Sequence, residues 1–259
     1  MECKNCNLTL EDNHNFCTDC GAKVIRNRIT TNNLWYDFTE QFFNLDNTFL
    51  LTFKHLFTKP ETVIGGYIDG VRKKYMNPIS YLTVALTLTG LMVFFLKRTF
   101  PEGIDFDIFK TGIYSPETSK KMTDFLFAFY SILYILYIPI LAACGWLSFK
   151  NKNYYYSEFI VSFIYSQAQL SFISVFTTLL TISIAPSLYT LLSMLSLLIM
   201  ISYSLYVMKR ISDQKKGEFL PSALIFLVMF GFGFFILSIL QFILMYMYGV
   251  ISFEAFIPK

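Results

Sequence analysis

The chain has 259 residues, of which 54% are hydrophobic, 19% aromatic and only 15% charged. Soluble domains carry about a quarter charged residues, so this composition excludes an ordinary soluble fold and makes a bilayer the main solvent. The net charge of +3 is small and its basic residues lie between apolar blocks, which removes any basis for a nucleic-acid-binding patch.

The chain opens with two C-x-x-C pairs, Cys3-Lys4-Asn5-Cys6-Asn7 and Cys17-Thr18-Asp19-Cys20-Gly21, separated by ten residues. Each pair lets two thiolates converge on one face of a tetrahedral ion, so Cys3, Cys6, Cys17 and Cys20 are expected to bind a structural zinc ion. A disulfide pair or a redox dithiol are the alternatives. A reducing cytosol and the lack of a βαβ context speak against both. Four thiolates fill the shell and leave no position for substrate or activated water. Gly21 suits a tight turn, and Leu8, Leu10 and Phe16 are expected to pack between the pairs. His14 lies between the knuckles as a solvated loop residue or a substitute ligand. Residues 1–25 hold cysteines and polar side chains where a cleavable signal peptide needs an apolar core.

Residues 33–57 carry Trp35, Phe38, Phe42, Phe43, Phe49, Leu50, Phe53, Leu56 and Phe57 mainly at helical spacing, interrupted by Asp37, Glu40, Asn44, Asp46 and Lys54. That pattern predicts amphipathic helices, either lying at the headgroup level or packed on the protein's own spans, with Asp46 or Asn47 as a cap. Lys59-Pro60-Glu61 reads as a helix start, and the glycines at 65, 66 and 70 lack the Lys-Ser/Thr and strand context of a phosphate loop.

The order of the cysteine head, Phe42-Phe43-Asn44-Leu45-Asp46, Lys59-Pro60, Tyr67-Ile68-Asp69-Gly70-Val71-Arg72-Lys73-Lys74-Tyr75 and Asn77-Pro78 resembles a family of Bacteroidota membrane proteins known only as a domain of unknown function. The resemblance covers about the first third of the chain. It implies a zinc-ribbon head on an inner-membrane body and brings no activity with it.

Apolar runs then predict five spans, at about 79–96, 125–149, 159–185, 188–208 and 219–248, with Pro139 kinking the second and Pro186 closing the third. The expected fold is therefore mainly α: a zinc-ribbon head over 1–28, amphipathic interfacial helices over 29–78 and a polytopic transmembrane domain over 79–259. Fifteen Lys and Arg fall on the N-terminal side of the membrane and six on the other (Lys97, Arg98, Lys110, Lys120, Lys121, Lys259). The positive-inside bias places the N-terminus in the cytoplasm and the C-terminus in the periplasm of a bacterial inner membrane.

The centres of the spans hold no ionisable side chain, which disfavours ion-coupled transport. Neutral polar residues remain, among them Ser166, Gln167, Gln169 and Ser171, and these pair across helices more often than they line a pore. Cys144 reads as a small buried hydrophobe. No catalytic constellation is visible, so the expected role is non-enzymatic: a binding, regulatory or scaffold component that contacts the bilayer, a cytosolic protein through the zinc head, and its own copies, with no nucleic acid. The alternative is an oligomeric pore, small-solute channel or membrane-damaging effector whose Gln167 and Gln169 faces meet. A lipid-handling enzyme comes third, since neither His14 nor His55 has catalytic neighbours in sequence.

Overall fold

The computed structural model describes residues 2–11, 13–22, 24, 48–99, 116–149, 154–185, 188–212 and 214–251. They belong to two compact units, Met1–Asp46 and Asn47–Lys259. The described residues contain no strand; an isolated antiparallel bridge joins Glu2 and Thr9 in the first unit.

The second unit is helical. α1 covers residues 48–58; α2 (Pro60–Ile68), α3 (Pro78–Thr99), α4 (Pro116–Ser148), α5 (Tyr156–Ile184), α6 (Tyr189–Ile211) and α7 (Lys216–Met247) follow. Proline starts several of these helices because its fixed φ suits the first turn and its missing N–H would be unpaired there anyway. At α3 the preceding Asn77 completes the start, its Oδ1 accepting from the Ser80 amide at 2.8 Å. At α5 the Tyr155 amide donates to the Glu158 carboxylate at 2.7 Å, which also places a negative charge on the first turn.

Among the described residues, four helical stretches are long and apolar enough to cross a membrane: Pro78–Leu96, Tyr156–Ile184, Leu191–Ile211 and Gly217–Met247. The expected span at 125–149 falls on α4, a continuous 33-residue helix that runs through Pro139. Some of its side chains lie outside the described residues, and the described apolar stretch is Tyr134–Ser148. Large apolar side chains such as Leu198, Val228, Phe232, Phe235 and Ile236 point outward. An exposed apolar surface of this extent is stable only against lipid, so the chain is a membrane-embedded helical protein.

α5 is the central helix, packed against α3, α4, α6 and α2. Its stretch Ser162–Phe172 is buried almost all round; Ser162 and Ser166 donate to carbonyls of their own helix, while Gln169 and Ser171 are satisfied across helices. The Tyr81 hydroxyl donates to Gln169 Oε1 at 2.5 Å, and the Gln169 Nε2 donates to the Phe53 carbonyl at 3.2 Å. Thr89 and Ser171 hydroxyls meet at 2.7 Å. Such pairing is how buried polar groups persist in an apolar interior.

α1 packs on the protein's own spans. Phe49 stands edge-on to Phe172 at 5.1 Å, and Leu56 is wholly buried. The hydroxyls of Tyr203 and Tyr206 donate to the carbonyls of Leu56 and Phe57 at 3.1 and 2.8 Å, satisfying acceptors that the end of a helix leaves unpaired. Trp35, Phe38, Phe42, Phe43 and the expected caps Asp46 and Asn47 lie outside the described residues. Past the expected span end at about 208, α6 runs on through Lys209 and Arg210 to Ile211, which is buried with Val207 and Met208.

Candidate metal centre

The first unit brings its four expected ligands together. The Sγ atoms of Cys3, Cys6, Cys17 and Cys20 all lie within 4.8 Å of one another, with Cys3 to Cys20 at 3.6 Å and Cys6 to Cys17 at 3.5 Å. All four are free thiols. A single ion at about 2.3 Å from each of four sulfurs gives a tetrahedron with edges of about 3.8 Å, and these separations fit it. This group of cysteines could hold a metal ion.

The two knuckles are built alike. In the first, the Cys3 amide donates to the Leu8 carbonyl and the Asn7 amide to the Cys3 carbonyl, both at 2.8 Å. In the second, Cys17 donates to Ala22 at 2.8 Å and Gly21 to Cys17 at 3.0 Å. The residue after the second cysteine has positive φ in both, 62° at Asn7 and 69° at Gly21. Glycine meets that requirement without strain, and asparagine is among the few other residues that tolerate it. Gly21 was legible in the sequence. Asn7 was missed, although its identical place after the first pair was the available signal.

These turns aim amide hydrogens at the sulfurs. The amides of Cys6 and Asn5 hold the Cys3 thiol below the usual range. The Asn5 side chain and the Ala22 amide bring Cys20 down to about 6. At Cys6 the Leu8 amide also favours the thiolate, but the crowding of Cys20, Cys17 and Cys3, together with burial, outweighs it and pushes the thiol up to about 12. Four sulfurs this close cannot all ionise without a counter-charge, and a divalent cation is the group that supplies one.

Packing around the site is small. Leu10, Cys3 and Cys17 are buried, with Cys6, Ala22 and Val24 against them. Leu8 and Phe16, expected to share this core, are exposed, because the hairpin between the knuckles is too short to enclose three apolar side chains. His14 stands outside the sulfur cluster with its Nε2 at 3.9 Å from the Glu11 carboxylate.

In the second unit, Cys144 is buried as expected. Gln167 and Gln169 would have to face outward for copies of the chain to meet through them, and both are fully buried inside one copy. His55 packs with its Nδ1 2.8 Å from the Tyr75 hydroxyl, which in turn lies 3.3 Å from Thr62. That grouping joins residues twenty apart across α1, α2 and the loop after it, a separation that sequence pattern does not reveal.

A family model described as a protein of unknown function (DUF3667) matches residues 46–90. This stretch, to which the chain is similar, holds α1, α2, the loop after it and the first half of α3, and it excludes the cysteine head. No curated protein and no solved structure matches the chain.

Proposed function

We propose that the chain is a non-enzymatic, membrane-anchored binding or regulatory protein whose cytosolic head is a zinc ribbon recruiting a protein partner, in the inner membrane of a bacterium of the Bacteroidota type. The observation that carries this reading is the pair of matched knuckles, each closed by the same backbone hydrogen bonds around four converging sulfurs. Cys3, Cys6, Cys17 and Cys20 would hold the ion. It would supply a rigid surface and no chemistry, because an S4 shell has no open position. One ion is favoured over an iron–sulfur cluster, since a cluster spreads its thiolates farther apart than the separations seen here. Zinc is favoured over a lone iron by the closed, structural character of the site.

The test is affinity purification of the full chain from mild detergent, with metal analysis and identification of co-purifying proteins. The expected result is one zinc per chain, a colourless preparation, and a partner that is lost from the Cys17→Ser, Cys20→Ser variant while the variant still inserts. Stoichiometric iron, or a metal-free head that keeps its partner, would overturn it.

A further inference from the structure

We propose that the loop between α2 and α3 is a preorganised binding site for anionic phospholipid headgroups, formed by Arg72, Lys73 and Lys74. The inference rests on the membrane-embedded unit alone and does not involve the metal head.

The three cations are consecutive and exposed, but the backbone that carries them is fixed. The Val71 amide donates to the Gly66 carbonyl at 2.7 Å, turning the chain back over the end of α2, and Gly70 supplies the φ of 98° this reversal needs. At the far side of the loop, Met76 is held on both faces of its peptide: its amide donates to Thr52 Oγ1 at 3.0 Å, and its carbonyl accepts from the Tyr165 hydroxyl at 2.7 Å. Tyr75 is buried and tied to His55. Two of the cations then lie over tyrosine rings, Arg72 at 5.1 Å from the Tyr67 centroid and Lys74 at 5.5 Å from the Tyr75 centroid. Stacking on a ring face orients the cation and leaves its N–H groups free to point at an anion.

A cation cluster used only to orient a span needs no such scaffold; charge near the end of the helix is enough. Holding three like charges on a fixed loop raises electrostatic repulsion, and a bound anion relieves it.

Depth selects a lipid as the anion. Pro78 begins an apolar span four residues after Lys74. Tyr165, which holds Met76, lies about 20 residues before the apolar end of α5 at Ile184, the length that crosses a hydrocarbon core. The loop therefore sits where that core gives way to headgroups, and phosphate is the anion present there.

The experiment titrates phosphatidylglycerol or phosphatidylcholine into the purified full chain in neutral detergent and follows the thermal unfolding midpoint. Phosphatidylglycerol is expected to raise the midpoint and phosphatidylcholine not to. In the Arg72→Gln, Lys73→Gln, Lys74→Gln variant the phosphatidylglycerol concentration for half the effect should rise roughly 100-fold, as three surface cations predict. The Lys120→Gln, Lys121→Gln variant should behave as wild type. Equal gains from both lipids, an unchanged titration in the triple variant, or the same loss in the Lys120, Lys121 variant would overturn the proposal. A full gain from inorganic phosphate alone would overturn the lipid as the source of the anion. Should the triple variant not fold, the wild type decides: at about 1 M salt a headgroup site loses the phosphatidylglycerol gain, and retention of that gain refutes it.

Discussion

Gln167 and Gln169 stand two residues apart on α5, both wholly buried, and only one of them is used by the fold. Gln169 joins Tyr81 of α3 to the carbonyl of Phe53 on α1, whereas neither Oε1 nor Nε2 of Gln167 meets a protein partner. Removing one side of a buried hydrogen bond costs about 1–3 kcal/mol, while replacing an unpaired amide by an apolar side chain of similar size is neutral or stabilising. Gln169→Leu should therefore lower the unfolding midpoint in detergent by several degrees, and Gln167→Leu should leave it unchanged or raise it. Equal losses in the two variants would show that Gln167 has a polar role that its surroundings in the chain do not reveal. The sequence marks both glutamines as polar groups inside a span, but it cannot separate them, because their partners come from residues about 80 to 120 positions away in the chain. The cysteines contrast with this. Their convergence is set by local spacing, so Cys3, Cys6, Cys17 and Cys20 were legible as a cluster that could hold an ion, and the amides aimed at the sulfurs follow from the same local turns.

Among the elements, α4 and α7 show how close approach constrains helix packing. A Cβ placed on Gly233 of α7 would collide with the Cγ2 methyl of Ile140 on α4, while one placed on Gly231 would meet nothing within 4 Å. Ile140 is β-branched and cannot swing its methyl away cheaply, so the helices themselves would have to part. Gly233→Ala should destabilise the bundle by about 1–3 kcal/mol. Gly231→Ala should stabilise it slightly, since alanine is the better helix former. Thermal unfolding of the two variants in one detergent checks both signs. Nothing in the Gly231-Phe232-Gly233 sequence distinguishes the two glycines; only the facing helix tells them apart. Gly145 behaves like Gly233: a Cβ there would lie 2.9 Å from ring atoms of both Phe159 and Phe163. Span positions were legible because hydrophobic length is local, and α3, α5, α6 and α7 begin and end within about three residues of where the apolar runs do. The seating of α1 was not. Its aromatics suit lipid and protein equally, and the choice was made by Tyr203, Tyr206 and Gln169, which supply donors for its carbonyls from spans far along the chain.

For the whole molecule, the two units are compact separately, and their stabilities rest on different physics. Among its described residues the first has little apolar core beyond Leu10, Ala22 and Val24, so an ion held by the four cysteines would supply much of the folding free energy of that head. The second buries an extended apolar and aromatic core. A strong chelator should therefore open the cysteine head to protease while the far-ultraviolet helical signal of the full chain stays constant; loss of helix on chelation would mean that the units do not fold independently. The membrane unit also fixes its own polarity. Arg210 at the end of α6 is paired with Glu61 on α2, so the basic end of α6 and the cations at 72–74 share one face, while Lys120 stands about 42 Å along α4 from Ser148. Phe149, just past the end of α4, packs at 5.8 Å from Phe219 in the first turn of α7, so the distal end of α4 belongs with the start of α7 on the basic face and Lys120 with the opposite one. Positive charge held on one face resists translocation, so that face should be cytoplasmic. In intact cells a membrane-impermeant maleimide is expected to label a Lys120→Cys variant and to leave Lys73→Cys unmodified until the membrane is breached. The reverse pattern would place the basic face and its cation loop outside, and would require the insertion of this chain to be driven by something other than its charge asymmetry.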